Sequence, residues 1–107
     1  MTEDVCEVVI TAPDAEWLAT FTRKLVEDRL AAGGHYTTTI RTIYRWHGEI
    51  FDKPEARVVL YTRRSQLPAI IERTNREHPY EVPHVTATPF DGSPAYVQWV
   101  LDETRTP

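Results

Sequence analysis

Residues 78 to 84, which read HPYEVPH, place two histidines, two prolines, a tyrosine and a glutamate in seven positions. Neutral imidazoles are good ligands for copper or zinc, and Glu77, just before this stretch, offers a carboxylate oxygen. These residue types predict a divalent metal site, for Cu2+ or Zn2+, formed by Glu77, His78 and His84. The spacing matches no usual zinc pattern, so a structural or small-ligand role stays open and is, on the chemistry alone, the more common one.

The signatures of an enzyme active site are missing from the sequence. All four glycines stand where turns are expected, which leaves no glycine-rich phosphate loop. Ser65 and Ser93 are placed to cap helices, and Cys6 lies in a β-branched segment that favours a buried structural thiol over a reactive one. His35 and His47 stand beside glycines, in positions typical of solvated side chains. We therefore expect a binding protein rather than an enzyme.

The elements that position these residues follow from the apolar pattern. Val5 to Ala12 is short, apolar and β-branched, which predicts a buried strand. Asp14 is placed to cap a helix, and the Gly33-Gly34 pair predicts its end, because glycine enters the left-handed conformation without a steric clash. The apolar residues of this helix recur at helical spacing. They are Leu18, Phe21, Leu25, Val26 and Leu30.

A long hairpin is predicted from His35 to Thr62, since this segment is dense in Thr, Ile, Tyr, Trp and Val. His47-Gly48 marks its turn, and Pro54, which cannot donate to a strand ladder, should lie at a bulge or an edge. The first arm, of about ten residues, is long for a strand. In a domain of this size, such an arm is best explained by contact with another subunit.

The second half of the chain repeats the pattern. Ser65 is predicted to cap a helix that the two prolines of HPYEVP end, and His84 to Phe90 predicts a fourth strand. A short third helix follows, with Ser93 as its cap and Pro94 at its first position, and residues 104–107 predict a frayed tail. The inner stripe of the second helix is predicted to be Leu67, Ile70, Ile71 and Thr74.

The element order is therefore strand, helix, strand, strand, helix, strand, helix. The first six elements form the ferredoxin-like βαββαβ pattern around an antiparallel sheet. This predicts an α+β fold with a long hairpin and an extra C-terminal helix, built as a single domain over residues 1–107.

Charge and composition limit the partners. The net charge of -4 argues against a general nucleic-acid binder and against docking on an anionic membrane. A single cysteine cannot form an internal disulfide, and the acidic start MTEDVCEVVI does not resemble a secretion signal. We expect a soluble, cytoplasmic protein with neither a membrane nor a nucleic-acid partner.

Four motifs stand in order along the chain: VVITAPD, IYRWHGEI, EHPYEVPHV and YVQWV. Together they resemble the CutA family of divalent-cation tolerance proteins, over about Val5 to Leu101. The tryptophan-x-glycine hairpin and the histidine-proline-tyrosine segment are specific as a pair, although either alone would be weak.

The resemblance implies a homotrimer similar in architecture to the nitrogen-regulatory PII proteins, with long hairpins reaching neighbouring subunits and functional clefts between them. It also implies copper tolerance and copper binding, as in bacterial members, or partner association, as elsewhere. The cleft residues to which it points are Trp46, Glu55, Thr62 and Tyr80. The interface residues are Tyr44, Trp46 and Trp99, which suits the enrichment of aromatics at interfaces.

The chain departs from the family pattern at several of these positions. Ile10 stands where copper-binding members carry a cysteine, and Glu77 where they carry the first of two histidines. Tyr61 replaces a lysine and His84 replaces a glutamate, whereas Glu55 matches a frequent acidic position. Losing a thiolate should weaken binding of soft metals, while His84 offers a different ligand.

Two hypotheses follow. The first is a homotrimer that binds copper or another divalent metal in a cleft between subunits. The second is a PII-like signalling or interaction module that binds a small metabolite or a partner protein, with metal binding lost.

Overall fold

The computed structural model describes residues 4–107. The elements are β1 (Val5–Ala12), α1 (Ala15–Glu27), β2 (Gly33–Trp46), β3 (Glu49–Arg63), a 3-10 turn (Arg64–Gln66), α2 (Leu67–Glu77), β4 (Val85–Pro89) and α3 (Pro94–Glu103). This is the predicted ferredoxin-like order with the extra helix, and the fourth strand is one residue shorter at each end than predicted. No helix in the described range is long and apolar enough to cross a bilayer.

The four strands form one antiparallel sheet in the order β2-β3-β1-β4. Alternate residues of β1 and β3 point to the face that α1 and α2 cover, as the period-two geometry of a strand dictates. The main core lies there, whereas α3 packs on the opposite face around Val100. The core side chains at these strands and helices include Cys6, Val8, Ile10, Leu18, Phe21, Leu25, Val58, Leu60 and Ile70.

The hairpin of β2 and β3 extends beyond the rest of the sheet. β1 pairs with β3 only from Ala56 to Arg63, so the part of β3 before Ala56 has β2 alone beside it. His47 (φ 50°) and Gly48 (φ 79°) form the turn, as predicted, with the two positive φ angles that suit the twist of a tight hairpin. Pro54 lies in this extension, at the predicted edge position.

The helix ends combine local and tertiary causes. Asp14 caps α1 as predicted, since its Oδ1 accepts from the backbone N–H groups of Glu16 (2.9 Å) and Trp17 (3.3 Å). The predicted end at Gly33-Gly34 is wrong: α1 ends at Glu27 and Arg29 takes the left-handed conformation (φ 61°).

Gly33 and Gly34 instead open β2, where close packing requires them. A Cβ on Gly34 would lie 3.0 Å from the Leu60 side chain and 3.2 Å from a backbone carbonyl of β3. A Cβ on Gly33 would lie 3.3 Å from the ring of Trp99. The absence of side chains on this pair therefore lets the start of β2 pack closely on β3 and on Trp99 of α3. The pair does not end the helix.

The start of α2 also differs from the prediction. A 3-10 turn precedes α2, and its N-cap residue is Gln66, which makes no side-chain capping bond, so the prediction that Ser65 caps the helix is wrong. Ile70 and Thr74 are buried as predicted, whereas Ile71 is 37% exposed and lies outside the inner stripe.

The C-terminal segment is held by side chains far away in the sequence, so the predicted frayed tail is wrong. Arg63 donates to the backbone oxygens of Leu101 (2.6 Å) and Thr104 (3.0 Å), and Thr104 is buried. The Arg105 N–H donates to the carbonyl of Arg29 at 3.0 Å. Ser93, by contrast, caps α3 as predicted, accepting from Tyr96 N at 3.3 Å.

Candidate functional site

His78 is a buried structural residue at the end of α2. Its Nδ1 lies 3.0 Å from the N–H of Tyr80, which can only donate, so the ring proton is on Nε2 and is donated to the Thr11 carbonyl at 2.8 Å. The ring packs edge-on against Trp17, and its exposed fraction is 7%. Burial lowers the pKa of His78 and keeps the imidazole neutral. Both nitrogens are thus engaged within the subunit.

Glu77 points away from His78, into a cluster of cations. Its carboxylate oxygens lie 3.7 Å from Lys24 Nζ, 3.6 Å from Arg73 Nε and 3.8 Å from an Arg76 guanidinium nitrogen. These pairs tie the end of α2 to α1. A carboxylate balanced in this way is a weak candidate for a metal ligand, because the metal would have to displace the three cations.

His84 is exposed, with Nε2 3.0 Å from Thr86 Oγ1. Across residues 4–107, no three or more His, Cys, Asp or Glu side chains gather in a group that could hold a metal ion. One subunit alone therefore does not assemble the predicted Glu77, His78 and His84 site. The three side chains point in different directions: Glu77 to the cation cluster, His78 to β1 and His84 to solvent.

A different constellation lies at the base of the hairpin. The Tyr80 hydroxyl donates to Glu55 Oε2 at 2.7 Å, and Glu55 is only 4% exposed. Burial raises the pKa of Tyr80 to about 12. The Lys53 ammonium lies 4.7 Å from the centre of the Tyr80 ring and 5.6 Å from that of Tyr44. The Tyr80 hydroxyl, and after it the Tyr44 hydroxyl, raise the pKa of Lys53, which stays protonated at physiological pH.

Tyr44, Lys53 and Tyr80 border a cavity of about 450 Å³ that we call the hairpin cleft. Its lining comprises Tyr44, Trp46, Phe51, Lys53, Pro79, Tyr80, Glu81 and Val82. Of the predicted cleft residues, Trp46 and Tyr80 line the cleft. Glu55 does not line it, but accepts the hydrogen bond that fixes the Tyr80 hydroxyl. Thr62 does not belong to it: it is fully buried in the core, and its hydroxyl donates to the Leu30 carbonyl at 2.6 Å.

The predicted interface residues present partly open faces in the single subunit. Trp46 and Trp99 are 36% and 42% exposed, and Tyr44 stacks on Phe51 with ring centres 5.4 Å apart. Their contact with another subunit stays a prediction.

Sequence reasoning missed Lys53 and Phe51. Both alternate with Glu55 along β3, and Phe51 pairs across the hairpin with Tyr44. A period-two pattern of this kind places all three side chains on one face, so the register set by the His47-Gly48 turn could have identified them.

Comparisons with known proteins show the family to which this chain belongs. Residues 6–103 match the model of the family described as CutA1 divalent ion tolerance protein. The divalent-cation tolerance protein CutA of Thermus thermophilus is 36% identical over 98 residues, which cover 91% of this chain and 95% of that protein. The CutA protein of Mus musculus is 35% identical over 102 residues, but this chain spans only 58% of its length.

Solved structures show the same fold. The T. thermophilus divalent cation tolerance protein superimposes with a TM-score of 0.90 at 34% identity, covering 94% of this chain and 99% of that one. CutA1 from Oryza sativa superimposes with a TM-score of 0.92 at 30% identity, covering 97% and 96%. With nearly the whole chain matched in sequence and in fold, the protein belongs to the CutA1 divalent ion tolerance family.

Proposed function

We propose that this chain acts in divalent-cation tolerance as a cytoplasmic homotrimer, with binding rather than catalysis as its role. The observation that carries the proposal is the hairpin extension, which displays Ile43 and Ile50 at 61% and 59% exposure near its tip. A projecting apolar surface of this kind favours a protein contact, and closed symmetry among identical chains is the commonest arrangement.

The assembly is tested by light scattering after size exclusion. We expect a mass about three times the subunit mass of 12.4 kDa, because the resemblance to the CutA family implies a trimer, whereas a mass about twice that of the subunit would indicate a dimer. The double variant Ile43→Asp, Ile50→Asp should dissociate, because it introduces charges that a contact would desolvate. Ile71→Asp on α2, also an exposed isoleucine, is the matched control and should keep the wild-type mass. A wild-type monomer at micromolar concentration would exclude the trimer.

We further propose that a divalent cation, Cu2+ or Zn2+, binds where subunits meet. His84 is the predicted ligand with an exposed imidazole, whereas His78 and Glu77 are engaged within the subunit. When bound, such a cation would supply a fixed positive charge linking neighbouring subunits. A carboxylate or imidazole from the neighbour would complete the ligand set.

Calorimetric titration of metal-free protein with Cu2+, and separately with Zn2+, tests this proposal. We expect saturable binding at micromolar affinity or tighter, about -8 kcal/mol. His84→Ala should weaken it at least about tenfold, while His47→Ala, a change at another exposed histidine, should leave it unchanged. Equal affinity of wild type and His84→Ala would show that His84 is not a ligand. Absence of saturable binding would rule out the proposed metal site.

A second function is favoured by the hairpin cleft itself, namely binding of a small metabolite or partner segment, as in a PII-like module. A cavity of about 450 Å³ with mainly apolar walls and a single lysine has the character of a small-molecule site. A thermal-shift screen of metabolites tests it, because a ligand that binds the folded state raises the unfolding temperature. No shift with any compound would count against this function.

A further inference from the structure

We propose that the hairpin cleft binds a small monocarboxylate with a flat, apolar body, its carboxylate paired with the Lys53 ammonium. This inference rests on the second proposed function, a small-molecule cleft, and specifies the chemical class of its ligand.

The first argument is that Lys53 is partly buried and has no counter-ion among the residues that the structure describes. Among residues 4–107, Lys53 has no carboxylate within the 4 Å of an ion pair, whereas Lys24, the other lysine of the chain, lies 3.7 Å from Glu77. Glu55, a buried carboxylate two residues along β3 from Lys53, accepts a hydrogen bond from the Tyr80 hydroxyl. A ligand carboxylate would therefore meet a cation whose Coulomb attraction is not already used.

The second argument is that this cation is held in place. Its ammonium lies over three rings, 4.7 Å from the centre of Tyr80, 5.6 Å from Tyr44 and 5.9 Å from Phe51. Aromatic faces attract an ammonium through their quadrupoles, and Tyr80 is itself fixed by its hydrogen bond to Glu55. The entropy lost when a ligand pairs with Lys53 is smaller than for a free surface lysine, since the amine is already ordered.

The third argument concerns the walls. Trp46, Phe51 and Tyr44 line one side, on the hairpin, and Pro79 and Val82 line the other. In the single subunit Val82 is 66% exposed and Trp46, which is also a predicted interface residue, is 36% exposed, so both have apolar area that a ligand could bury. A planar hydrocarbon or heteroaromatic body between them would gain that burial and stacking.

The fourth argument selects a single negative charge. Glu81 also lines the cleft, so a dianion such as a phosphate or a dicarboxylate would place its second charge near a carboxylate. One anionic group facing Lys53 avoids this repulsion, whereas a simple organic cation would face Lys53 itself.

Calorimetry or ligand-observed NMR on the assembled full-length protein tests the inference with indole-3-acetate and its neutral isostere indole-3-acetamide. The two probes differ in charge and hardly in shape. We expect the carboxylate to bind at least about tenfold more tightly than the amide, because only the carboxylate pairs with Lys53.

Three variants locate the effect. Lys53→Met keeps an unbranched stem over the rings and should remove the preference for the carboxylate, while Lys53→Arg keeps the charge and should retain it. Lys24→Met removes the other lysine, on α1, and is the matched control that should bind like wild type. Circular dichroism and the oligomeric mass show whether each variant is folded. If Lys53→Met does not fold, the comparison of acid and amide on wild type and on Lys53→Arg still tests the inference, because both proteins keep the charge and should prefer the acid.

The outcomes separate the inference from the function on which it rests. The inference is overturned if the amide binds as tightly as the acid, if Lys53→Met keeps the preference, or if the acid fails to bind at millimolar concentration. If neutral or cationic compounds still produce shifts in the metabolite screen, the cleft function survives with another ligand class. If nothing produces a shift, the cleft function fails as well.

Discussion

β2 and β3 run through both the body of the sheet and the hairpin extension, but the two regions are stabilised in different ways. In the body, alternate side chains of β3 such as Val58 and Leu60 are fully buried beneath α1 and α2. In the extension, no side chain from residue 40 to residue 54 is fully buried. The body is thus held by its own core, whereas the extension is held by cross-strand pairs and by whatever it contacts.

This difference bears on how each region is stabilised. One face of the extension is exposed and the other is only partly covered, so we expect contacts beyond its own two strands to contribute to its stability. The hairpin cleft lies between the two regions, where the 79–82 segment that leaves α2 meets the extension.

The largest expected effect is in the body. Phe21 is 2% exposed and stacks on Trp17 with ring centres 4.9 Å apart, so Phe21→Ala should lower the free energy of unfolding by about 3–5 kcal/mol. Phe51→Ala in the extension is the matched change and should cost clearly less. Both are measured by denaturant unfolding at one fixed subunit concentration, because assembly contributes to apparent stability. Equal losses would erase the distinction between the two regions.

The next effect lies at the junction. His78→Ala should cost about 1–3 kcal/mol, since the Thr11 carbonyl and the Tyr80 N–H both lose a buried partner.

The same residue should give the protein a pH dependence. Burial lowers the pKa of His78 from its ordinary 6.5, against smaller opposing effects of the Thr11 hydrogen bond and the Glu55 charge. The unfolded chain therefore binds the proton more readily, and the contribution is fully present above pH 6.5 and lost as the pH falls below it. His78→Gln should flatten this slope between pH 6.5 and 5. A slope unchanged in the variant would assign it to other groups.

A smaller effect should appear within one strand. Amide hydrogen exchange along β3 should be slower from Val58 to Thr62, in the body, than from Ile50 to Lys53, in the extension. We expect at least about a tenfold drop in protection under conditions that favour the dissociated subunit. Assembly should raise protection of the extension and leave the body unchanged. Uniform protection along the strand in dissociated subunits would contradict a hairpin that depends on external contacts.

The smallest effect is expected for the ion pair on the outer face of the hairpin. Arg41 and Asp52 lie 2.6 Å apart, but their side chains are 75% and 43% exposed, so solvent screens the attraction. Arg41→Ala should leave the unfolding midpoint unchanged within error. Arg73→Ala, at a pair with Asp28 where the arginine is only 17% exposed, is the comparison and should lower it measurably.

The features predictable from the sequence are those with local causes. The element order, the Asp14 and Ser93 caps and the His47-Gly48 turn each depend on a few neighbouring residues, and all are confirmed. The end of α1 was mispredicted, because Gly33-Gly34 serves packing against Leu60 and Trp99, which only the tertiary structure brings near. Local rules cannot detect a close approach between distant segments.

The same limit applies to the C-terminal segment and to the site. Arg63 and Thr104 are 41 positions apart, so no local pattern shows that the segment is held. The family resemblance pointed to Tyr80 and Glu55 as cleft residues but not to Lys53, whose place beside Tyr80 follows only from the hairpin register. Nor could residue type show that the His78 ring turns inward to β1, because the direction of a side chain at a helix end depends on what it packs against.

The ammonium held over the rings of the hairpin cleft also has a chemical consequence. Only the unprotonated amine of a lysine is nucleophilic, and the Tyr80 and Tyr44 hydroxyls raise the pKa of Lys53, so this amine is rarely in its reactive form. Lys24, with a side chain that is 56% exposed, is the more accessible of the two lysine amines. An acylating reagent should therefore modify Lys24 on α1 first, and Lys53 only when its ammonium moves away from the rings of Tyr80, Tyr44 and Phe51. The acylation rate of Lys53 is then a measure of how often the cleft rearranges.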